Sequence, residues 1–184
     1  MGARLFTHAR TLMAKDDANQ VKPADDEDKH ELWDRLESLR TAMLTTHDEE
    51  GRMRSRPVTV LKIENGTMWF FTPLNGGIAA DIKRDSDVHL SVMDKDDDLF
   101  VSMRGEAQVT HDPAKAKELW STMAGAWFPG GHDDPNLGIM RIDVYQGDFW
   151  DVKASKLVQF YEMAKASLTK RTPENLGDHR RFTN

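Results

Sequence analysis

The chain of 184 residues contains no cysteine, which excludes disulfide bonds, thiolate metal sites, iron–sulfur clusters and cysteine nucleophiles. It also has no excess of positive charge. The formal net charge is −6, so no broad basic surface is available for a phosphate backbone and no nucleic-acid partner is expected. No apolar run approaches the length of a membrane span, so no membrane partner is expected either. The first 15 residues lack the continuous apolar stretch of a secretory signal. A cytoplasmic location is therefore predicted.

Familiar catalytic and metal motifs are missing as well. The seven histidines include no pair spaced four residues apart, and no nucleotide-binding glycine fingerprint or hydrolase nucleophile motif occurs. Asp94, Asp96 and Asp98 are spaced like the first ligands of a calcium loop, but Leu99 and Gly105 occupy the positions that require glycine and glutamate. No metal site is predicted.

What the chain does contain is enough apolar material, 39% of its residues, for a packed core of a single domain. A helix is predicted to start at Asp28, because Asp28 and Glu31 have the spacing of a capping box. The residues after it favour short strands. The predicted strands are 42–47, 54–62, 68–72, 88–93, 99–109, 137–144 and 147–150, and further helices are predicted at 76–84, from Asp112 and Pro113 onwards, and at 155–168.

The predicted fold is mainly β with some α. Strands and helices do not alternate regularly, which argues against a parallel doubly wound sheet. We expect an antiparallel barrel of about six strands with flanking helices, since closure removes exposed sheet edges. The predicted division is a flexible N-terminal arm and acidic linker at 1–29, a barrel domain at 30–155, and a C-terminal helix with a polar tail at 156–184.

Three neighbouring features indicate a phosphate site. Arg54 and Arg56 are two residues apart on a predicted strand and so share one face, and guanidinium groups bind phosphate oxygens bidentately. Thr72 ends the next strand and offers a hydroxyl. The segment 75–77 (NGG) then opens a predicted helix, whose free N–H groups favour an anion. Each feature alone is more typical of a surface arginine pair, a turn or a helix cap, and that alternative stays open. Their order along the chain raises the phosphate interpretation to about even with it.

Aromatic residues point to a flat ligand beside this phosphate. Phe71 lies on a predicted strand, Trp127 and Phe128 lie on a loop that continues with proline and two glycines, and Trp150 ends the last predicted strand. Core packing is the ordinary role of such rings. Two large rings on a loop, however, are costly unless they pack on something, and a flat apolar ligand with a phosphate tail would use both sets of residues.

These segments resemble the FMN-binding hairpin of the pyridoxamine 5'-phosphate oxidase-like superfamily. The similarity is carried by 56–62 (RPVTVLK) and 68–72 (MWFFT). More narrowly, the chain is similar to the general stress protein branch of that superfamily over about residues 30–155. The narrower similarity lies in 52–57 (RMRSRP), 69–72 (WFFT), 126–131 (AWFPGG) and 148–151 (DFWD).

The resemblance implies a split β-barrel homodimer with FMN at the subunit interface, FAD being an alternative flavin. It implies that Arg56–Thr59 runs beside the flavin, that Phe71 and Thr72 lie near the ribityl phosphate, and that Trp127 and Trp150 contact the flavin across the interface. The full set of predicted cofactor-binding residues is Arg54, Ser55, Arg56, Pro57, Val58, Thr59, Phe71, Thr72, Asn75, Gly76, Gly77, Trp127, Phe128 and Trp150.

Two departures from the oxidases limit the expected activity. Gly77 and Ile78 replace a basic pair, so phosphate binding must depend on Arg54, Arg56, Thr72 and backbone N–H groups. The Arg-Leu-His-Asp-Arg substrate motif near the C-terminus is absent, so pyridoxamine phosphate oxidation is not expected.

Three functions follow from the sequence as hypotheses. The first is an FMN-dependent oxidoreductase of the bacterial general stress response that acts on an unknown small substrate. The second is a non-catalytic flavin-binding or sensing protein, and the third is the same barrel with haem or a deazaflavin. Replacing Arg56 with alanine is expected to weaken FMN binding and to leave the fold intact.

Overall fold

A computed structural model describes residues 21–121, 124–151 and 178–184 of the chain. These residues form nine strands and three α-helices. The strands are β1 (Lys22–Pro23), β2 (Thr41–His47), β3 (Met53–Thr59), β4 (Lys62–Glu64), β5 (Thr67–Pro73), β6 (Asp87–Asp94), β7 (Leu99–Thr110), β8 (Leu137–Asp151) and β9 (Asp178–Thr183). The helices are α1 (Asp26–Ser38), α2 (Gly77–Arg84) and α3 (Pro113–Leu119), with short 3-10 helices at Ala124–Ala126 and Gly131–Asp133. The predicted mainly β fold with helices is confirmed.

Helix α1 begins earlier than the sequence predicted. Its N-cap is Asp25, whose side chain accepts from the backbone N–H of Asp28, while the Asp28 carboxylate accepts from the backbone N–H of Asp25. The capping box therefore joins Asp25 and Asp28, and the prediction that it joins Asp28 and Glu31 was wrong. Because aspartate at the third helical position can close the box as glutamate does, the wrong acidic pair was chosen. Leu32 and Leu36 are buried on the inner face of α1.

The strands pair in the order β1-β9-β8-β7-β6-β2-β3, and β5 pairs with β8 and β4. All of these pairings are antiparallel except that of β1 with β9. The expectation of a closed barrel is corrected, because the described strands form an open sheet with β3 at one end of the path. Very short strands such as β1 and β4 limit the exposed edge without closure.

The central hairpin places the candidate site residues. The turn between β4 and β5 is made by Asn65 and Gly66, both with positive φ, as the sequence predicted. Strand β5 then runs to Pro73, and a short loop leads into α2 at the predicted place. Helix α2 packs against β2, β5 and β7.

The second half of the chain differs more from expectation. The register of β7 and β8 shifts between Arg104 and Gly105, which confirms the predicted irregularity at Gly105. Residues 137–151, predicted as two strands, form the single strand β8. The tail predicted as polar contains a strand, β9, which pairs with β8 and buries Phe182. The predicted helix at 155–168 lies outside the described residues.

The apolar residues form two clusters. The larger cluster is formed by residues of the strands together with Leu32 and Leu36 of α1 and Ile82 of α2. The smaller one lies between β5, β8 and α3 and contains Ala116, Phe128, Leu137 and Ile139. None of the helices in the described part of the chain is long and apolar enough to cross a membrane.

Candidate functional site

The side chains of Arg56, Thr46 and Asp81 form a closed triangle of hydrogen bonds. Arg56 Nη1 donates to Thr46 Oγ1 at 2.8 Å, and Arg56 Nη2 donates to Asp81 Oδ2 at 2.8 Å. Thr46 Oγ1 in turn donates to Asp81 Oδ2, also at 2.8 Å. The three side chains come from β3, β2 and α2 respectively. The guanidinium is therefore fixed between two strands and a helix, unlike the surface arginine that the sequence left open as the alternative.

The electrostatics of the triangle favour an ionised carboxylate. Burial of Asp81 by itself would raise its pKa, but the hydrogen bonds from Arg56 and Thr46 outweigh burial and hold the pKa below its usual value. Arg84 adds a longer contact, from Nη1 to Asp81 Oδ1 at 3.5 Å. Asp81 is only 5% exposed, so removing Arg56 would leave a buried charge with weaker partners. The expectation that Arg56→Ala leaves the fold undisturbed is therefore replaced by one in which stability is lost.

The first turn of α2 lies directly against this guanidinium. A Cβ atom built on Gly77 would be 3.6 Å from Arg56 Nη2. The N-cap Gly76 makes no side-chain cap, and the first turn has no acidic residue. Its leading N–H groups have no acceptor within the helix, and the positive end of the helix dipole is not neutralised there. The prediction that residues 75–77 open a helix beside the arginine strand thus agrees with the geometry.

The loop before α2 is held by backbone and side-chain bonds. The Gly76 N–H donates to the Pro73 carbonyl at 2.9 Å, and the Asn75 N–H donates to Asn136 Oδ1 at 3.1 Å. The Asn75 N–H is therefore already bonded to a side chain. The donors that remain for an anion are those that follow Gly76.

Thr72 presents an unmatched polar group near the start of this loop. The side chain is 2% exposed, and its Oγ1 has no hydrogen-bond partner among the residues that the structure describes. An isolated buried hydroxyl costs free energy unless a ligand or water completes it. Together with the uncapped helix start and Arg56, this hydroxyl fits a phosphate monoester, which offers several acceptor oxygens.

Arg54 lies on the same face of β3 as Arg56, as predicted from their spacing, but it is exposed. No carboxylate in the described part of the chain forms an ion pair with it. It is the more readily available of the two arginines for binding a ligand.

Strand β3 also contains four other residues of the predicted set. The Ser55 hydroxyl forms a hydrogen bond with the Thr45 hydroxyl at 2.7 Å, Val58 is buried, and Pro57 and Thr59 are exposed.

Phe71 and Phe128 do not lie with the arginines. Phe71 points to the face of β5 opposite Thr72, and its ring meets Phe128 edge-on at 6.1 Å and Trp120 at 6.0 Å. Phe128 is buried in the smaller apolar cluster. In the single chain these two rings pack with each other, which is the ordinary core role that the sequence left open.

Trp127 and Trp150 are the two exposed indoles of the predicted set. Trp127 is 82% exposed, and Trp150 is 38% exposed with its ring stacked on His179 at 4.5 Å. The structure of one chain does not bring either indole together with Arg56. Both are available to a ligand or to a second chain.

Sequence reasoning missed Thr46 and Asp81. Thr46 lies on the inward face of β2, where the alternation of buried residues gives the signal for an unusual buried polar side chain. Asp81 lies in the middle of α2, and its charge resembles those of ordinary exposed helix residues. The sequence does give one indication: Asp81 lies on the same face of the helix as the apolar residues Ile78 and Ile82, where a charged residue is unusual.

Comparison with known proteins identifies the family. A model of the family described as pyridoxamine 5'-phosphate oxidase like matches residues 27–174. In its sequence the chain is also 25% identical over 128 residues to Protein bli-3 of Neurospora crassa, a match of 64% of this chain and 61% of that protein. The chain thus spans about three fifths of the length of this relative.

Solved structures show the same fold. A protein assigned as general stress protein 26 from Jannaschia sp. CCS1 is 28% identical, with a TM-score of 0.69 over 87% of this chain and all of that one. The general stress FMN/FAD binding protein of Xanthomonas citri is 34% identical, with a TM-score of 0.60 over 68% of this chain and 89% of that one. These matches confirm the split-barrel fold class and the resemblance to general stress proteins. The chain therefore belongs to the pyridoxamine 5'-phosphate oxidase-like family.

Proposed function

We propose that this protein binds FMN, with the flavin phosphate at the start of α2. The observation that carries the proposal is the placement of the Arg56 guanidinium against the uncapped first turn of α2. Arg56 supplies a fixed positive charge, the first-turn N–H groups supply directional donors, and the Thr72 hydroxyl supplies one more polar group. Arg54 completes the set from the solvent side.

The rest of the flavin has a place along β3. This strand ends the hydrogen-bonded order of the sheet, so its outer edge has no strand partner among residues 21–121, 124–151 and 178–184. Main-chain groups of Arg56–Thr59 on that edge would bond the polar rim of the isoalloxazine. A relative 34% identical to this chain carries the name FMN/FAD binding protein, which supports a flavin rather than another phosphate ester.

We propose in addition that the protein is a homodimer. Met93, Phe100 and Trp150 are direct neighbours across β6, β7 and β8 and form an exposed apolar row, which we call the open-face row. Their exposures are 62%, 41% and 38%. Contiguous exposed apolar surface of this kind is typical of an interaction site. A second copy would cover the row, and the exposed Trp127 and Trp150 would meet its flavin there.

The proposed chemistry is flavin-dependent oxidation or reduction of a small molecule in the general stress response. When bound, the flavin supplies the redox chemistry, and the chain binds it, orients it and sets its electrostatic surroundings. One sequence feature favours the second candidate, a non-catalytic flavin-binding or sensing protein: the substrate motif of the oxidases is absent. The cytoplasmic location and the lack of a nucleic-acid partner remain predictions.

Titration of the flavin-free protein with FMN, FAD and riboflavin tests the proposal. We expect FMN to bind most tightly and riboflavin to bind more weakly, because riboflavin lacks the phosphate. Equal affinity for FMN and riboflavin would contradict the phosphate site. Tighter binding of FAD than of FMN would make FAD the cofactor. Bleaching of the bound flavin by NADH or NADPH, followed by reoxidation with turnover, would favour the oxidoreductase. Failure of both donors would favour the non-catalytic protein.

A further inference from the structure

The Arg56 guanidinium is held by groups that have no direct role in binding a phosphate. Thr46 and Asp81 are 1% and 5% exposed, so both are withdrawn from solvent and from the outer side of the site. Each nevertheless contacts the guanidinium at 2.8 Å. Two of the five N–H bonds of Arg56 are committed in this way, which fixes the plane of the group.

We propose that Thr46 and Asp81 are positioning residues that make the site selective for a flavin carrying a 5'-phosphate. Free arginine side chains lose rotamer entropy when they are ordered on a ligand. Here the ordering is already complete in the protein, because three elements of the fold hold the group. The fixed group lies beside the first turn of α2, since a Cβ atom on Gly77 would be 3.6 Å from Arg56 Nη2, and its remaining N–H bonds are left for the phosphate. This inference rests on the proposed FMN function.

Thr46 gives the cleaner test of the two, because changing it alters no charge. Thr46 Oγ1 accepts from Arg56 and donates to Asp81, so it is the only uncharged member of the triangle. Replacing Asp81 would instead change the net charge beside the phosphate as well as the position of Arg56. The two effects would have opposite signs and would confuse the result.

The experiment compares the affinities of FMN and riboflavin for Thr46→Val and Thr46→Ser with those of the unaltered protein. We expect Thr46→Val to lower FMN affinity about five- to tenfold and to change riboflavin affinity by less than about twofold. Thr46→Ser restores the hydroxyl and is expected to restore the preference for FMN. If Thr46→Val does not fold, as judged by circular dichroism and thermal unfolding, Thr46→Ala takes its place.

A double-mutant cycle with Arg56→Ala separates positioning from a general structural effect. If Thr46 acts through Arg56, Thr46→Val has no further effect on the FMN-to-riboflavin ratio once Arg56 is alanine. An unchanged ratio in folded Thr46→Val, or an equal effect with and without Arg56, would overturn the inference while leaving FMN binding intact. Absence of flavin binding by the unaltered protein would overturn the proposed function and the inference with it.

Discussion

We expect the Arg56 side chain to contribute both to the stability of the fold and to ligand binding. It is the main partner of the buried Asp81 carboxylate, and its guanidinium lies against the first turn of α2. We expect Arg56→Ala to lower the free energy of unfolding by about 2–4 kcal/mol, because a buried carboxylate is left with weaker partners. FMN affinity is expected to fall by about tenfold or more. Urea unfolding and flavin titration measure the two effects.

Arg54→Ala is the matched control for that variant. Arg54 is exposed on the same strand, so its removal is expected to change the free energy of unfolding by no more than about 0.5 kcal/mol. FMN affinity should still fall if Arg54 reaches the phosphate. Equal losses of stability in the two variants would show that the Arg56–Asp81 pair does not stabilise the fold.

The Asp81 carboxylate is expected to make the free energy of unfolding depend on pH in the acid range. Its pKa is lower in the folded protein than in the unfolded chain, so the unfolded chain binds more protons in the interval between the two values. The stabilisation is present above about pH 4 and is lost as the pH falls through the folded-state pKa. We expect Asp81→Asn to lose less stability than the unaltered protein between about pH 6 and about pH 3. Urea unfolding at both pH values checks this, and an equal loss would contradict it.

Arg54 and Arg56 differ from Asp81 in how far the sequence predicts their positions. Arg54 and Arg56 could be placed on one face of a strand because strand periodicity alone decides it. The partner of Arg56 could not be predicted, since Asp81 lies 25 residues further along the chain on a helix. Whether a helical carboxylate faces inward depends on how the helix packs. Ile78 and Ile82 put Asp81 on the apolar face of this helix, but no pattern in 77–84 shows that this face lies against Arg56.

Helix α2 is the element on which the phosphate proposal depends. Alanine at Gly77 would place a methyl group at ordinary contact distance from Arg56, without backbone strain, because Gly77 has no positive φ. We expect Gly77→Ala to raise the free energy of unfolding by up to about 1 kcal/mol, as glycine replacement in a helix does. The same methyl group fills the space proposed for the phosphate, so FMN affinity should fall while riboflavin affinity changes less. Unchanged FMN affinity in the folded variant would place the phosphate elsewhere. A loss of stability would show that the methyl group does not fit beside Arg56.

Elements set by local chemistry were predicted well, and those set by distant packing were not. The hairpin at Asn65 and Gly66 follows from two residues that tolerate positive φ. The two strands predicted at 137–144 and 147–150 are the single strand β8, which continues through Gly147. The structure shows why glycine occurs there: a Cβ atom would lie 2.6 Å from the Phe182 ring of β9. Since β9 follows a polar stretch at the end of the chain, its pairing with β8 had no local signal.

At the scale of the whole molecule, the open-face row predicts how two copies meet. Met93 is exposed in that row, and we expect Met93→Glu to convert the dimer to a monomer, because it buries a charge in an apolar interface. The monomer should keep its fold, since the side chain is largely solvent-exposed in the single chain. Light scattering after size exclusion gives the mass directly.

Met53→Glu is the control for charge and exposure. Met53 is 76% exposed but lies on β3, outside the open-face row. We expect it to leave the dimer intact. If the unaltered protein has a monomeric mass at micromolar concentration, or if both variants dissociate equally, the proposed interface is wrong.

The flavin content of the purified protein shows whether the proposed site holds a flavin. The fixed Arg56, the uncapped start of α2 and the unmatched Thr72 hydroxyl together predict a yellow protein that releases FMN when it is denatured. Absorption spectroscopy of the native protein and chromatography of the released chromophore identify it, and also distinguish FMN from FAD, haem and a deazaflavin. A colourless protein that fails to take up added FMN, or one that releases a chromophore without a phosphate, would contradict the account.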